Sequence, residues 1–192
     1  MDSRSSTYMI STSPIEHRNW RGLCSSSVAL KSWLKNEPVK FTSRTTNGPF
    51  SRAGSSFTNK ELIRNIIIQL RASKNCVLIL SKGTRRKDII PFEITYAIDD
   101  CQLPLIIVYP DYQTITAPAT LAKYWPKELR KRIGASTTKV LHIPLSEEPA
   151  RDAMLRFHIN SRETWPNGYC HYKAEAFREW GIDAKPNDNR KR

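Results

Sequence analysis

The chain has little that would staple a fold or hold a metal. Its four cysteines, Cys24, Cys76, Cys101 and Cys170, form no CxxC pair, and its four histidines are scattered. That spacing argues against a disulfide framework and against a metal site, and two of the thiols lie in apolar runs where cysteine packs as a small hydrophobe. Long hydrophobic runs are also missing. The longest span about five residues, far short of the ~18 needed to cross a bilayer. The opening MDSRSSTYMIST lacks the apolar core of a secretory signal. A soluble, cytoplasmic protein is the expectation. No GxGxxG and no Walker sequence occurs, so neither a Rossmann dinucleotide site nor a P-loop is supported.

Acidic residues are scarce too. Thirty-one Lys and Arg face 18 Asp and Glu, a net charge of +13. The surplus is uneven: residues 1–92 hold sixteen basic against five acidic side chains, and 93–150 hold six against seven. Such a field attracts polyanions or phosphorylated small molecules. Nucleic acid is disfavoured as the partner, because no aromatic platform or recognition motif accompanies the charge.

At 192 residues the chain can bury a full core in one domain. Strands are predicted at 7–12, 39–42, 76–80, 105–109 and 139–143. Helices are predicted at 16–34, 58–70, 88–100, 121–133 and 147–159. Thr58 and Glu61 form a capping box for the second helix, whose Leu62, Ile63, Ile66, Ile67 and Leu70 fall on one face. Asp88 can cap the third, with Pro91 tolerated in its first turn. Strands alternating with helices predict a parallel sheet covered on both sides. The simplest order is the flavodoxin-like 2-1-3-4-5. Residues 1–160 are expected to form this α/β domain. Residues 161–192 are expected to add a short C-terminal helical extension: a turn at WPNGY, a helix over 172–180 and a frayed end. The Ser-, Gly- and Arg-rich segment 43–57 is expected to be a loop that serves as a lid or an assembly surface.

In this architecture the loops after strands 1 and 3 meet at the carboxyl edge of the sheet, where such folds bind ligands. Here they are Ser11-Thr12-Ser13-Pro14 and Ser81 to Lys87. Hydroxyls on one side and Arg85, Arg86 and Lys87 on the other suit a phosphorylated ligand. Glu93 comes next, in the third helix, beside the core stripe of Ile90, Ile94, Ala97 and Ile98. A carboxylate there can stabilise an oxocarbenium-like transition state at a ribose, or act as nucleophile. It can equally complement the helix dipole or pair with Arg85 or Arg86.

The run Cys76 to Pro110, CVLILSKGTRRKDIIPFEITYAIDDCQLPLIIVYP, resembles the third strand, active-site helix and fourth strand of TIR-like domains. It is most similar to the TIR-like proteins of bacterial Thoeris anti-phage systems, ThsB-like. The carrying features are Ser81 after an apolar strand, Phe92-Glu93-Ile94, Ala97-Ile98 and Pro104-Leu105-Ile106-Ile107. The resemblance covers roughly residues 7–145. It implies cleavage of the nicotinamide–ribose bond of NAD+, with ADP-ribose, linear or cyclised, as a signal that activates a downstream effector. Glu93 takes the catalytic position. Ser11, Ser13, Ser81, Arg85 and Phe92 line the nucleotide site. NAD+ enters as substrate, with no cofactor and no metal. The resemblance also leaves room for homo-oligomers and a phage-derived trigger. The better-known TIR signature has Trp four residues before the glutamate, where this chain has Ile89. A non-catalytic adaptor acting by assembly therefore stands beside the enzyme reading, as does a nucleoside deoxyribosyltransferase-like enzyme of the same fold type.

Overall fold

A computed structural model describes residues 4–11, 24–43, 59–81 and 89–182. Six parallel strands form one sheet in the order β2-β1-β3-β4-β5-β6. They are β1 (Ser6–Ser11), β2 (Lys40–Thr42), β3 (Ser73–Ile79), β4 (Leu105–Tyr109), β5 (Lys139–Pro144) and β6 (Gly168–His171). The helices are α1 (Cys24–Trp33), α2 (Asn59–Arg71), α3 (Ile89–Thr95), α4 (Lys127–Gly134), α5 (Glu147–Arg156) and α6 (Ala174–Glu179). A π-helical turn, Tyr96–Asp100, continues α3, and a 3-10 stretch, Pro118–Tyr124, precedes α4.

The doubly wound α/β class holds, with one strand more than the sequence predicts. Residues 168–171, expected in a turn and a helical extension, instead pair in parallel with 139–142 of β5. Gly168 makes the entry possible: its φ of 90° lies in the left-handed region, and its N–H bonds the Thr138 carbonyl at 2.7 Å. The helix expected over 121–133 is broken in two, because Pro126 ends the 3-10 stretch and opens α4. The caps Thr58 and Asp88 lie outside the described residues, as does nearly all of the 43–57 loop.

Strand alternation sorts the core into two layers. Tyr8, Ile10, Cys76, Leu78, Leu105, Ile107 and Tyr109 face α2, α3 and α4. Met9, Val77, Ile79, Ile106, Val108, Leu141 and Ile143 face α1 and α5. β4 is buried at every residue, as a strand covered on both faces must be. β3 begins three residues before its apolar run. Its polar residues Ser73 and Asn75 are nonetheless fully buried, because hydrogen bonds satisfy them. The Ser73 hydroxyl donates to the Gln69 carbonyl at 2.8 Å. The Asn75 amide donates to the Phe157 carbonyl at 3.0 Å and accepts from the Thr7 hydroxyl at 2.7 Å. No helix among the described residues is long and apolar enough to cross a membrane.

One buried polar group sits within the first layer. Trp125 Nε1 donates to the Tyr109 hydroxyl at 2.8 Å. That hydroxyl lies 2.9 Å from His142 Nδ1, within hydrogen-bond reach of the ring. Burial, with the charge of His171 second, lowers the His142 pKa to about 3. A depressed histidine contributes stability in full above its unfolded pKa. That stability is lost as pH falls from the unfolded value, ~6.5, toward the folded one. Urea unfolding at pH 7 and pH 4.5 should therefore show a large acid loss in the wild-type chain. The loss should be smaller in His142→Phe, by up to about 1.4 kcal/mol per pH unit below the unfolded pKa. Equal acid losses in the two proteins would contradict this assignment.

Candidate active site

The candidate site is built where β1, β3 and α3 meet. Tyr8 stands in the middle of β1, opposite Cys76 of β3. Both side chains face α3. Ile90 and Ile94 of that helix and Ala97 of the π turn belong to the same core layer, with exposures of 3% or less. This is the stripe predicted from the 3.6-residue period. Glu93 lies between these positions and is 0% exposed.

A buried carboxylate requires compensation by hydrogen bonds or charge. The Tyr8 hydroxyl donates to Glu93 Oε1 at 2.7 Å. That hydrogen bond fixes the orientation of the carboxyl group. The effect of Glu93 is felt below it. Burial raises the Cys76 thiol well above its ordinary pKa, and the negative charge of Glu93 adds to that rise. Cys76 is thus held as a neutral thiol, a packing residue rather than a nucleophile.

The π turn sets the path of the chain beyond Glu93. Cys101 N–H reaches back five residues to the Tyr96 carbonyl at 3.1 Å, and Leu103 N–H bonds the Ala97 carbonyl at 2.8 Å. Turns of this kind recur at functional sites. Two arginines pin it. Arg71 of α2 donates through Nε to the Tyr96 hydroxyl at 2.9 Å. Arg132 of α4 forks onto Asp99, with Nε 2.7 Å from Oδ1 and Nη2 on Oδ2. That fork is the first cause of the lowered Asp99 pKa. Asp99 is exposed and ties the π turn to α4.

Of the other predicted site residues, Ser11 closes β1 and pairs with Ile79. Ser81 stands two residues beyond Ile79 and is 7% exposed. The two serines are therefore at the carboxyl ends of adjacent strands, as a site at this edge needs. Phe92 is half-buried, packs against the first core layer and tilts onto Tyr96 at 5.7 Å between ring centres. Ser13 and Arg85 lie outside the described residues, along with Arg86 and Lys87. Tyr8 is a site residue that sequence reasoning misses. Its only signal is a tyrosine at a core-facing position of a strand, where aromatic packing is the ordinary explanation.

A doubly wound parallel sheet with a buried acid on the helix after the third strand places the chain in the α/β class. Residues 24–115 match the family model described as "Thoeris protein ThsB, TIR-like domain". The match runs from α1 to the turn after β4 and includes Glu93. These residues, just under half of the chain, are similar to the ThsB-like TIR family. No curated protein matches the chain. Among solved structures, a conserved protein from Enterococcus faecalis V583 is similar at 14% identity and a TM-score of 0.48, covering 75% of this chain and 92% of that one.

Removing the Tyr8 hydroxyl should expose how far Glu93 depends on it. Tyr8→Phe is expected to destabilise the chain by roughly 1.5–3 kcal/mol in urea unfolding, the usual range for a hydrogen bond to a charged group. A loss below about 0.5 kcal/mol would show that the bond does not hold the carboxylate.

Proposed function

We propose that this ThsB-like protein cleaves NAD+ in anti-phage defence, with Glu93 as the catalytic carboxylate. The observation that carries the reading is the placement of Glu93 within the family-matching segment, on the helix after β3, with a Tyr8 hydroxyl fixing one of its oxygens. A fixed acceptor oxygen is pre-organised for charge that develops only in the transition state. The bond broken is the one between nicotinamide nitrogen and ribose C1′. Its electron pair leaves with nicotinamide, which departs neutral, and the positive charge passes to the ribose. The Glu93 carboxylate stabilises that cation or captures it. Attack by water releases a proton and linear ADP-ribose. Attack by a ring nitrogen of the adenine gives a cyclic product. Either serves as the signal for a downstream effector.

Ser11 and Ser81 at the strand ends, with Ser13 and Arg85, would hold the nucleotide, and Phe92 would flank it. Self-assembly and a phage-derived trigger complete this proposal. Incubation of the full chain with NAD+ at high protein concentration, with phage lysate as trigger, should release nicotinamide. Glu93→Gln should reduce release by at least about a hundredfold, as removal of one preorganised electrostatic group does elsewhere. Its unfolding midpoint should stay close to wild type. Mass spectrometry of the product separates linear from cyclic.

The complete burial of Glu93 supports a second reading, a TIR-like adaptor that acts by assembly and uses the carboxylate to lock α3 onto β1. In that case Glu93→Gln keeps phage protection while nicotinamide is never released.

A further inference from the structure

The amino edge of the sheet, opposite the edge that carries Ser11 and Ser81, holds a cleft of about 610 Å³. That lies within the range of small-molecule sites, ~300–1,000 Å³. It opens where β4 and β5 begin. Its floor is the end of the π turn, and its far wall is the segment that leads from α5 to β6.

Its chemistry is divided. One side is apolar, formed by Ile98, Pro104, Phe157 and Trp165. Trp165 is half-buried and stands edge-on to Phe157, with 5.0 Å between ring centres. Its Nε1 is buried and finds no hydrogen-bond partner among the described residues. A buried N–H left without an acceptor is costly, and such a group in a native fold commonly marks a place for water or ligand. The other side is charged, and its charges are not balanced. Both carboxylates at the cleft are already ion-paired: Asp99 with Arg132, and Glu163 at 2.7 Å with Arg156, which also holds Asp152 at 2.9 Å. Lys139 lines the cleft, is exposed, and pairs with no carboxylate among the described residues. Lys74 adds a second positive charge close by. Its carbonyl accepts from Ile159 N–H at 2.9 Å, and its charge is felt at His158, another lining residue. Lys139, Lys74, Arg132 and Arg156 against Asp99, Glu163 and Asp152 leave one positive charge, beside an apolar wall.

We infer that this cleft is a second small-molecule site, for an organic anion with a planar ring: the ring against Trp165 and Pro104, the anionic group toward Lys139. Neither half suffices alone. A bare anion leaves the apolar wall wet, and a neutral ring leaves the lysine charge unmet. The ligand would sit against Ile98 and Asp99, at the far end of the helical segment that carries Glu93.

Adenosine monophosphate is a suitable probe, since it has both halves; adenosine and inorganic phosphate each have one. In calorimetric titrations of the full chain, AMP should bind saturably. Adenosine and phosphate should each bind at least roughly tenfold more weakly. Lys139→Glu should weaken AMP binding roughly five- to tenfold, as reversing a partly exposed charge does. Trp165→Phe keeps a ring and deletes the donor, and should weaken it roughly two- to tenfold. The melting temperature of each variant without ligand shows whether it folds, and Lys139, on the surface, keeps the test intact if Trp165→Phe does not. Absence of AMP binding at millimolar concentration overturns the inference. So does AMP binding that Lys139→Glu leaves unchanged, which would place the nucleotide elsewhere, or phosphate binding as tight as AMP.

Discussion

The structure turns on the enclosure of one carboxylate. Glu93 has no exposed surface, and a charge in that position survives only where the surroundings supply donors in fixed geometry. The Tyr8 hydroxyl is such a donor, and it is fixed because β1 is held between β2 and β3. The helix that carries Glu93 is in turn set by Ile90, Ile94 and Ala97 on the same sheet face. Thus the central strands, the α3 stripe and the carboxylate geometry form one unit. A shift in any of them is felt at the acid.

That unit explains why the fold tolerates polar residues in its centre. Thr7, Ser73, Asn75 and His142 are all buried in or beside the strands. Each is hydrogen-bonded, and their partners come from different elements: α2, the end of α5 and the aromatic group around Trp125. Such bonds add little net stability each, but leaving them unmade is costly. They therefore select one register of the sheet over its neighbours. The register is what places Tyr8 across from Cys76 and under Glu93.

Much of this is legible from residues alone, for identifiable reasons. β4 appears with the predicted bounds because an apolar run lies between Pro104 and Pro110. The α3 stripe is readable because its period is helical and uninterrupted. The start of β3 is not, because Ser73 and Asn75 look like loop residues until their partners are known. β6 is hidden for a related reason: GYCH is short, half-exposed and comes after a turn-like WPNG. Glu93 can be singled out by its type and by its setting after a strand. Tyr8 cannot, because its role arises from a contact across 85 positions of sequence. The arginine fork on Asp99 likewise joins residues whose proximity only the packing of α3 on α4 creates.

The π turn has a meaning for how such a helix can diversify. Five-residue hydrogen bonding accommodates one residue more than an α-helical turn would. The extra residue advances the helix by about 100° and 1.5 Å. Upstream of it, the chain answers to the sheet face and the acid. Downstream, Leu103 and β4 answer to the next strand pairing. The turn acts as a clutch between these two demands: residues on its far side can be inserted, lost or rotated without dragging the carboxylate out of line. A lineage can thereby remodel the amino edge of the sheet while the position of Glu93 stays constant.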